Sequence, residues 1–118
     1  MSIVANSPRF TFASVVLVPF PFSDQSRTKK RPAVVVSSAS YNASRRDIVI
    51  MAITSQVHTP LGFGEALLGD WQAAGLIKTS VLKPVFTTIE QGLVVRTMGQ
   101  LNPADATTLR EVIANVIG

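Results

Sequence analysis

The stretch TKKRPAVVVSSASYN, residues 28–42, places three cations and a proline before four apolar residues, and this contrast is the strongest indication of the fold. The cations at 29–31 repel one another and are expected in water, whereas the β-branched run at 33–36 is expected in a core. Pro32 stands between the two groups, fixes its own φ angle and pushes Arg31 towards an extended conformation. The stretch therefore predicts a cationic tip that is held rigidly at the start of a buried strand.

The composition indicates one small globular domain, residues 1–118. Hydrophobic residues make up 47% of the chain and charged residues only 15%, which argues against disorder. No apolar run approaches the roughly 20 residues of a membrane helix, and the N-terminus does not resemble a secretory signal. The chain has no cysteine, and His58 is its only histidine, so neither disulfides nor a zinc site is expected. We therefore expect a cytoplasmic protein that does not enter a membrane and uses no metal or other cofactor.

The positive charge is concentrated in the first half of the chain. Residues 1–60 carry seven basic and two acidic groups, whereas residues 61–118 carry four basic and five acidic groups. Such an imbalance favours a polyanionic partner, with nucleic acid as the first candidate. A basic face that serves only solubility is the alternative, and charge alone does not decide between them.

Hydrophobic patterning predicts a mainly β domain that ends in one helix. Asn102 is a good N-cap, Pro103 suits the first helical position, and apolar residues then recur at helical spacing up to Ile117. A short helix near 70–76 would begin at Asp70 and end at Gly75. The segment 39–46 has the composition of a turn. The predicted strands are 14–20, 31–38, 47–56, 65–68, 80–89 and 92–101.

Several short strands with mostly short connections favour a small antiparallel β-barrel, either SH3-like or OB-like. We expect an N-terminal tail at 1–13, the barrel at 14–101 and the C-terminal helix at 102–118.

The ends of two predicted strands suggest a functional site. Arg31 begins the second strand, and Thr54, Ser55 and Gln56 end the third. If these strands pair as a hairpin, Arg31 lies opposite Thr54, and a guanidinium beside a hydroxyl forms a small anion site. Each residue taken alone is more often structural, Arg31 as a solvated cation and Thr54 as a hydroxyl bonded by backbone.

Three segments together resemble the MazF/PemK-like toxin family of type II toxin–antitoxin systems. They are VVLVPFPFSDQSRTKKRPAVVVSS at 15–38, AITSQ at 52–56 and LLGDWQAAGLIKTSVLKP at 67–84. The resemblance extends over residues 14–118, and the ordered pair KRPAVVVSS and AITSQ is its most specific part. It implies an SH3-like antiparallel barrel that forms a homodimer.

The resemblance also implies an activity and its partners. Members of the family are metal-independent endoribonucleases that cut single-stranded RNA to 2′,3′-cyclic phosphate and 5′-hydroxyl ends. A cognate antitoxin with an acidic, disordered tail blocks the RNA groove. The family's catalytic arginine and threonine correspond to Arg31 and Thr54, which would stabilise the charge of a phosphorane. The expected RNA contacts are Arg27, Lys29, Lys30, Ser55, Gln56 and Lys83.

The sequence departs from the family in two places. Ala13 and Ser14 stand where the family usually has glycine and an acidic residue. The segment VLKPVFTTIE, 81–90, carries neither the aspartate nor the arginine that some members use there as acid or base. The resemblance therefore identifies the reaction class but not the general acid and base.

Two other functions fit the same pattern. A related branch of toxins has this architecture and inhibits DNA gyrase without cutting RNA. A plain nucleic-acid-binding barrel would bind with a steep salt dependence and leave the strand intact. The pair of Arg31 and Thr54 favours the ribonuclease.

Overall fold

The computed structural model describes residues 8–19 and 29–118 and contains one antiparallel sheet. The sheet has six strands in the order β4–β5–β3–β2–β1–β6 and curls into a half-barrel, which confirms the predicted fold class. Neither helix in this part of the chain has the length and apolar character of a membrane span. The strands are β1 Ser14–Pro19, β2 Lys30–Val35, β3 Asp47–Thr54, β4 Ala66–Leu67, β5 Val81–Glu90 and β6 Arg96–Gln100, and the helices are α1 Ala39–Ser44 and α2 Pro103–Val116.

The apolar run after Pro32 is buried because both faces of the sheet are covered. Side chains alternate along a strand, so Val34 enters a core that includes Leu109 of α2, while Ala33 and Val35 enter a second core on the opposite face. All three are fully buried. A strand covered on both sides reads as a continuous apolar run, as β2 and β3 do in this sequence.

Helix α2 begins where its capping sequence places it. The Asp105 backbone N–H donates to the Asn102 side-chain oxygen at 2.8 Å, and Pro103 follows the cap. Leu109 and Val112 are buried against the sheet. The last predicted apolar position, Ile117, lies outside the core and is 64% exposed.

The segment 39–46, predicted as a turn, instead contains helix α1. The Ser38 hydroxyl caps it by accepting from the Tyr41 N–H at 3.1 Å. Asn42 is buried, and its amide donates to the Phe10 carbonyl at 2.9 Å. The Gln91 side chain also donates to the Asn42 carbonyl at 2.9 Å. The helix is therefore held by a local cap and by long-range bonds, none of which produces a hydrophobic period.

The segment 70–76, predicted as a short helix, instead forms consecutive turns. The Asp70 side chain does accept from the Ala73 N–H at 3.1 Å, as an N-cap would. The chain then closes at once, with the Leu76 N–H donating to the Trp71 carbonyl at 3.0 Å. Gly75 has a φ of +82°, which ends the segment before a helical turn can repeat.

Residues 8–13, the described part of the chain before β1, pack on the sheet. Phe10 is fully buried in the second core with Val16 and Val18. Ala13 adopts a φ of +75°, in the left-handed region that favours glycine.

Two bulges lie at the same level of the sheet. Val15, Val34, Met51 and Phe86 are level across four strands, and the next level is formed by Val16, Ala33, Ala52 and Lys83. Between these two levels β5 carries the extra residues 84–85, and β6 carries the extra residue 98. Bulges bend a strand and re-aim its side chains, so β5 and β6 change direction towards the end of the sheet that carries Arg31 and Thr54.

The segment 69–80, which we call the anchored segment, is fixed to α2 and to β6. The buried Asp105 carboxylate accepts from the backbone N–H groups of Gly69 at 2.8 Å and Asp70 at 2.9 Å. A Cβ on Gly75 would overlap the Met98 carbonyl, and a Cβ on Gly99 would lie 2.6 Å from the Ala74 carbonyl oxygen. The two backbones therefore approach as closely as only glycine permits.

We predict that Asp105→Ala lowers the free energy of unfolding by about 2–4 kcal/mol, because it leaves two backbone N–H groups without their acceptor. Urea denaturation measures the change. Glu111→Ala, an exposed position on the same helix, should stay within about 0.5 kcal/mol of the wild type. Equal stability of the Asp105→Ala variant and the wild type would contradict this anchoring.

Gly75→Ala should also destabilise the protein, by about 2 kcal/mol or more, because it combines a positive φ with overlap on β6. Gly92→Ala is the matched control, since a Cβ there meets no atom within 4 Å. Thermal unfolding of both variants compares them directly. A Gly75→Ala variant as stable as the Gly92→Ala variant would show that the close approach is not needed.

Candidate functional site

A cleft of about 790 Å³ lies at the end of the sheet beyond the two bulges. Residues from β1, β2, β3, β5 and β6 line it together with the end of the anchored segment. Among the described residues that line it, four are cations and none is a carboxylate. The cations are Arg31, Lys78, Lys83 and Arg96.

Arg31 and Thr54 both line the cleft, at the ends of the paired strands β2 and β3. These strands pair antiparallel as far as Ala33 opposite Ala52, and the same register continued by two residues sets Arg31 level with Thr54. The alternation that directs Ala33 and Ala52 to one face directs Arg31 and Thr54 to the same face. Both residues are half-buried and both line the cleft.

The Thr54 hydroxyl is oriented by the chain that follows β3. The Gln56 backbone N–H donates to the Thr54 side-chain oxygen at 3.1 Å. This bond uses a lone pair of the oxygen and not its hydrogen, so the hydroxyl keeps a donor for an anion in the cleft. A threonine held in this way can act as a fixed hydrogen-bond donor beside a guanidinium.

The structure brings together five of the eight residues that the sequence singled out. Arg31, Thr54, Ser55, Gln56 and Lys83 line the cleft. Lys29 and Lys30 are exposed at the start of β2 and are not among the residues that line it. Arg27 lies outside the residues that the structure describes.

Sequence reasoning missed two lining cations, Lys78 and Arg96. Lys78 follows Gly75 by three residues in a segment whose position depends on contact with β6. Arg96 is the only cation of β6 and lies opposite Leu17 of β1. A single cation in an otherwise apolar or neutral predicted strand was the available signal.

The uncharged part of the cleft lining is aliphatic. Leu17, Pro32 and Met98 line it beside the cations, and none of the lining residues within 8–19 and 29–118 is aromatic. Ile77 lies at its edge with 85% of its side chain exposed. Aliphatic side chains can make van der Waals contacts with the flat faces of small planar groups without aromatic stacking.

Carboxylates elsewhere in the described residues have structural partners. Asp47 binds Arg45 at 2.9 Å, and the hydrogen bond from that guanidinium lowers the pKa of Asp47. Glu65 accepts from the Gly62 N–H at 2.6 Å, and Asp105 holds the anchored segment. The negative charges named here thus hold loops, while the cleft keeps an excess of positive charge.

No three histidine, aspartate or glutamate side chains within residues 8–19 and 29–118 lie together in a group that could hold a metal ion. The cleft offers hydrogen-bond donors and positive charge, which suit an anion such as a phosphodiester.

Comparisons with known proteins agree with this architecture. An endoribonuclease from a mycobacterial species, solved in complex with its cognate antitoxin, has a TM-score of 0.73 and 16% identity, and the match covers 92% of this chain and 94% of that one. The Mycobacterium tuberculosis toxin MazF-mt6 has a TM-score of 0.68 and 19% identity, with 86% and 93% covered. Among curated proteins none matches significantly.

A sequence profile identifies the family. The profile for the PemK-like, MazF-like toxin of type II toxin–antitoxin systems matches residues 12–117, nearly the whole chain. The chain therefore belongs to the PemK-like, MazF-like toxin family.

Proposed function

We propose that this protein is the toxin of a type II toxin–antitoxin system and acts as a metal-independent, sequence-specific endoribonuclease on single-stranded RNA. The observation that supports this most directly is the cleft, in which three further cations lie around the pair of Arg31 and Thr54 and none of the described lining residues is a carboxylate. Membership of the toxin family supports the same function. The mycobacterial endoribonuclease with a similar fold supports the reaction class.

The proposed reaction is accelerated by stabilising the negative charge that develops on the phosphate oxygens, and it does not need a bound metal ion. The ribose 2′-hydroxyl attacks the adjacent phosphorus, the bond from phosphorus to the 5′-oxygen breaks, and the products carry a 2′,3′-cyclic phosphate and a 5′-hydroxyl. The proton of the 2′-hydroxyl is lost and the leaving 5′-oxygen gains one. Negative charge grows on the non-bridging oxygens of the pentavalent phosphorane. Arg31 donates N–H bonds to these oxygens and Thr54 donates its O–H.

Other polar groups bind the substrate around the reacting phosphate. Ser55, Gln56 and Lys83 line the cleft beside the catalytic pair and contact the RNA there. Arg27, Lys29 and Lys30 precede or begin β2 and attract the RNA backbone over a longer range. We expect the protein to act in the cytoplasm, where RNA is accessible.

The same charges make the cleft a target for the antitoxin. A cognate antitoxin with an acidic, disordered tail would compete with RNA for the cations of the cleft. The similar mycobacterial endoribonuclease was solved with its cognate antitoxin, which supports a partner of this kind.

We predict that Arg31→Ala and Thr54→Val each lower the rate of RNA cleavage by about 10²–10³, because each removes one preorganised donor to the phosphorane. The measurement is single-turnover cleavage of a long single-stranded RNA in EDTA, and discrete fragments are expected from the wild type. Arg46→Ala is the control, an exposed arginine outside the cleft lining, and it should cleave like the wild type.

Two results would contradict the proposed ribonuclease, and a third would contradict the proposed site of the reaction. Intact RNA after incubation with the wild type, together with loss of supercoiling by purified DNA gyrase, would identify a gyrase inhibitor. Binding of RNA without any scission would leave a nucleic-acid-binding barrel. Cleavage that is equally fast in the Arg31→Ala variant would mean that the reaction occurs elsewhere on the protein.

We also predict a homodimer. Large apolar side chains are exposed at Phe63 and Ile117, by 81% and 64%, and their burial against a second copy of the chain would stabilise a dimer. Sedimentation at micromolar concentration should give twice the mass of one chain. A single species with the mass of one chain would contradict the dimer.

A further inference from the structure

We propose that Lys78 and Arg96 form a second phosphate-binding subsite on the β6 side of the cleft. The RNA then crosses the ends of the strands, with the Arg31–Thr54 pair in the middle, Lys83 on one flank and the Lys78–Arg96 subsite on the other. This inference rests on the proposed function, which it extends by giving the path of the RNA.

The sheet register sets the order of the cations. Arg96 is level with Leu17 of β1, and Leu17 is level with Pro32, the neighbour of Arg31. On the other flank, Lys83 is level with Ala52 of β3, and Ala52 with Ala33. Adjacent strands are about 4.8 Å apart, so the backbone positions of Arg96 and Lys83 each lie about 10–12 Å from that of Arg31. The backbone positions of the cations thus follow one line across the strands. Arg96 is on the Leu17–Pro32 face and Arg31 and Lys83 are on the other, and all three line the cleft at the strand ends.

Lys78 reaches this line because the anchored segment is seated on β6. The close approach of Gly75 to the Met98 carbonyl places residues 76–78 beside the bulge of β6. The buried Ser80 hydroxyl then donates to the Lys78 carbonyl at 2.9 Å, which fixes the backbone at Lys78 itself. The close approach to β6 and the hydrogen bond from Ser80 therefore hold Lys78 on the same wall of the cleft as Arg96.

The chemistry of this wall fits a phosphodiester. Two cations on one wall repel each other and favour a bound anion, and none of the described residues that line the cleft is a carboxylate. A guanidinium binds two phosphate oxygens at once, and an ammonium adds a second, adjustable donor. A row of anion sites about 10 Å apart suits a chain of repeated charges, and RNA is favoured over an acidic peptide because the row includes the Arg31–Thr54 pair.

The test uses a fluorescent 2′-O-methyl oligouridine of about 12 nucleotides, which is long enough to cross the cleft. It cannot cyclise, so binding is measured without cleavage. Anisotropy titrations at several salt concentrations give the slope of log K against log salt. Each phosphate contact to a single strand contributes about 0.7 to this slope. The Lys78→Ala/Arg96→Ala double variant removes one phosphate contact and should therefore lose about 0.7, and Lys83→Ala should also lose about 0.7.

Controls separate this subsite from general charge effects. Arg46→Ala removes an exposed arginine outside the cleft lining and should keep the wild-type slope. Adding Lys83→Ala to the double variant should give the sum of the two losses, because contacts on separate flanks act independently. An unchanged slope in the double variant would overturn the subsite, and so would an equal loss in the Arg46→Ala variant.

The remaining outcomes are also distinct. A wild-type protein that does not cleave RNA but shows the expected slope losses would remove the proposed nuclease and leave the subsite standing. Cleavage by the wild type, together with unchanged slopes in the variants, would support the nuclease and remove the subsite. If the double variant weakens binding of oligoglutamate and not of the oligonucleotide, the wall binds an acidic peptide and the inference is wrong.

Discussion

The single register between β2 and β3 is the constraint on which the rest of the structure depends. Because side chains alternate along a strand, a slip of one residue would turn Arg31 to the opposite face from Thr54. The register is pinned by burial on both faces, since Val34 fills the core under α2 while Ala33 and Ala52 fill the other core. The apolar run that stabilises the domain therefore also sets the geometry of the cleft.

In the described part of the molecule, carboxylates and cations have different structural roles. Asp105, Glu65 and Asp70 accept backbone N–H groups and fix loops, whereas the cations at the end of the sheet line a cleft without carboxylates. The buried Asp105 is the clearest case, because it fixes the segment that carries Lys78. Loop order and cleft charge are thus coupled through one carboxylate on α2.

Local and strongly periodic features of this fold were predictable from the sequence. The buried strands, the capped helix α2 and the antiparallel pairing of β2 with β3 follow from apolar runs, caps and hairpin geometry. Helix α1 was not predictable, because its cap and the long-range bond of Asn42 leave no period in the sequence. The contributions of Lys78 and Arg96 were also missed, since they require the bulge of β6 and the close approach of Gly75 to it.

Whether the RNA supplies its own nucleophile is the question that decides the proposed chemistry. The most direct measurement uses two RNAs that differ only at the cleaved nucleotide, one with a 2′-hydroxyl and one with hydrogen in its place. The wild-type protein in EDTA should cleave the first to a 2′,3′-cyclic phosphate and bind the second without cleaving it. Cleavage of the 2′-deoxy substrate at the same position would contradict the account, because a water or protein group would then be the nucleophile.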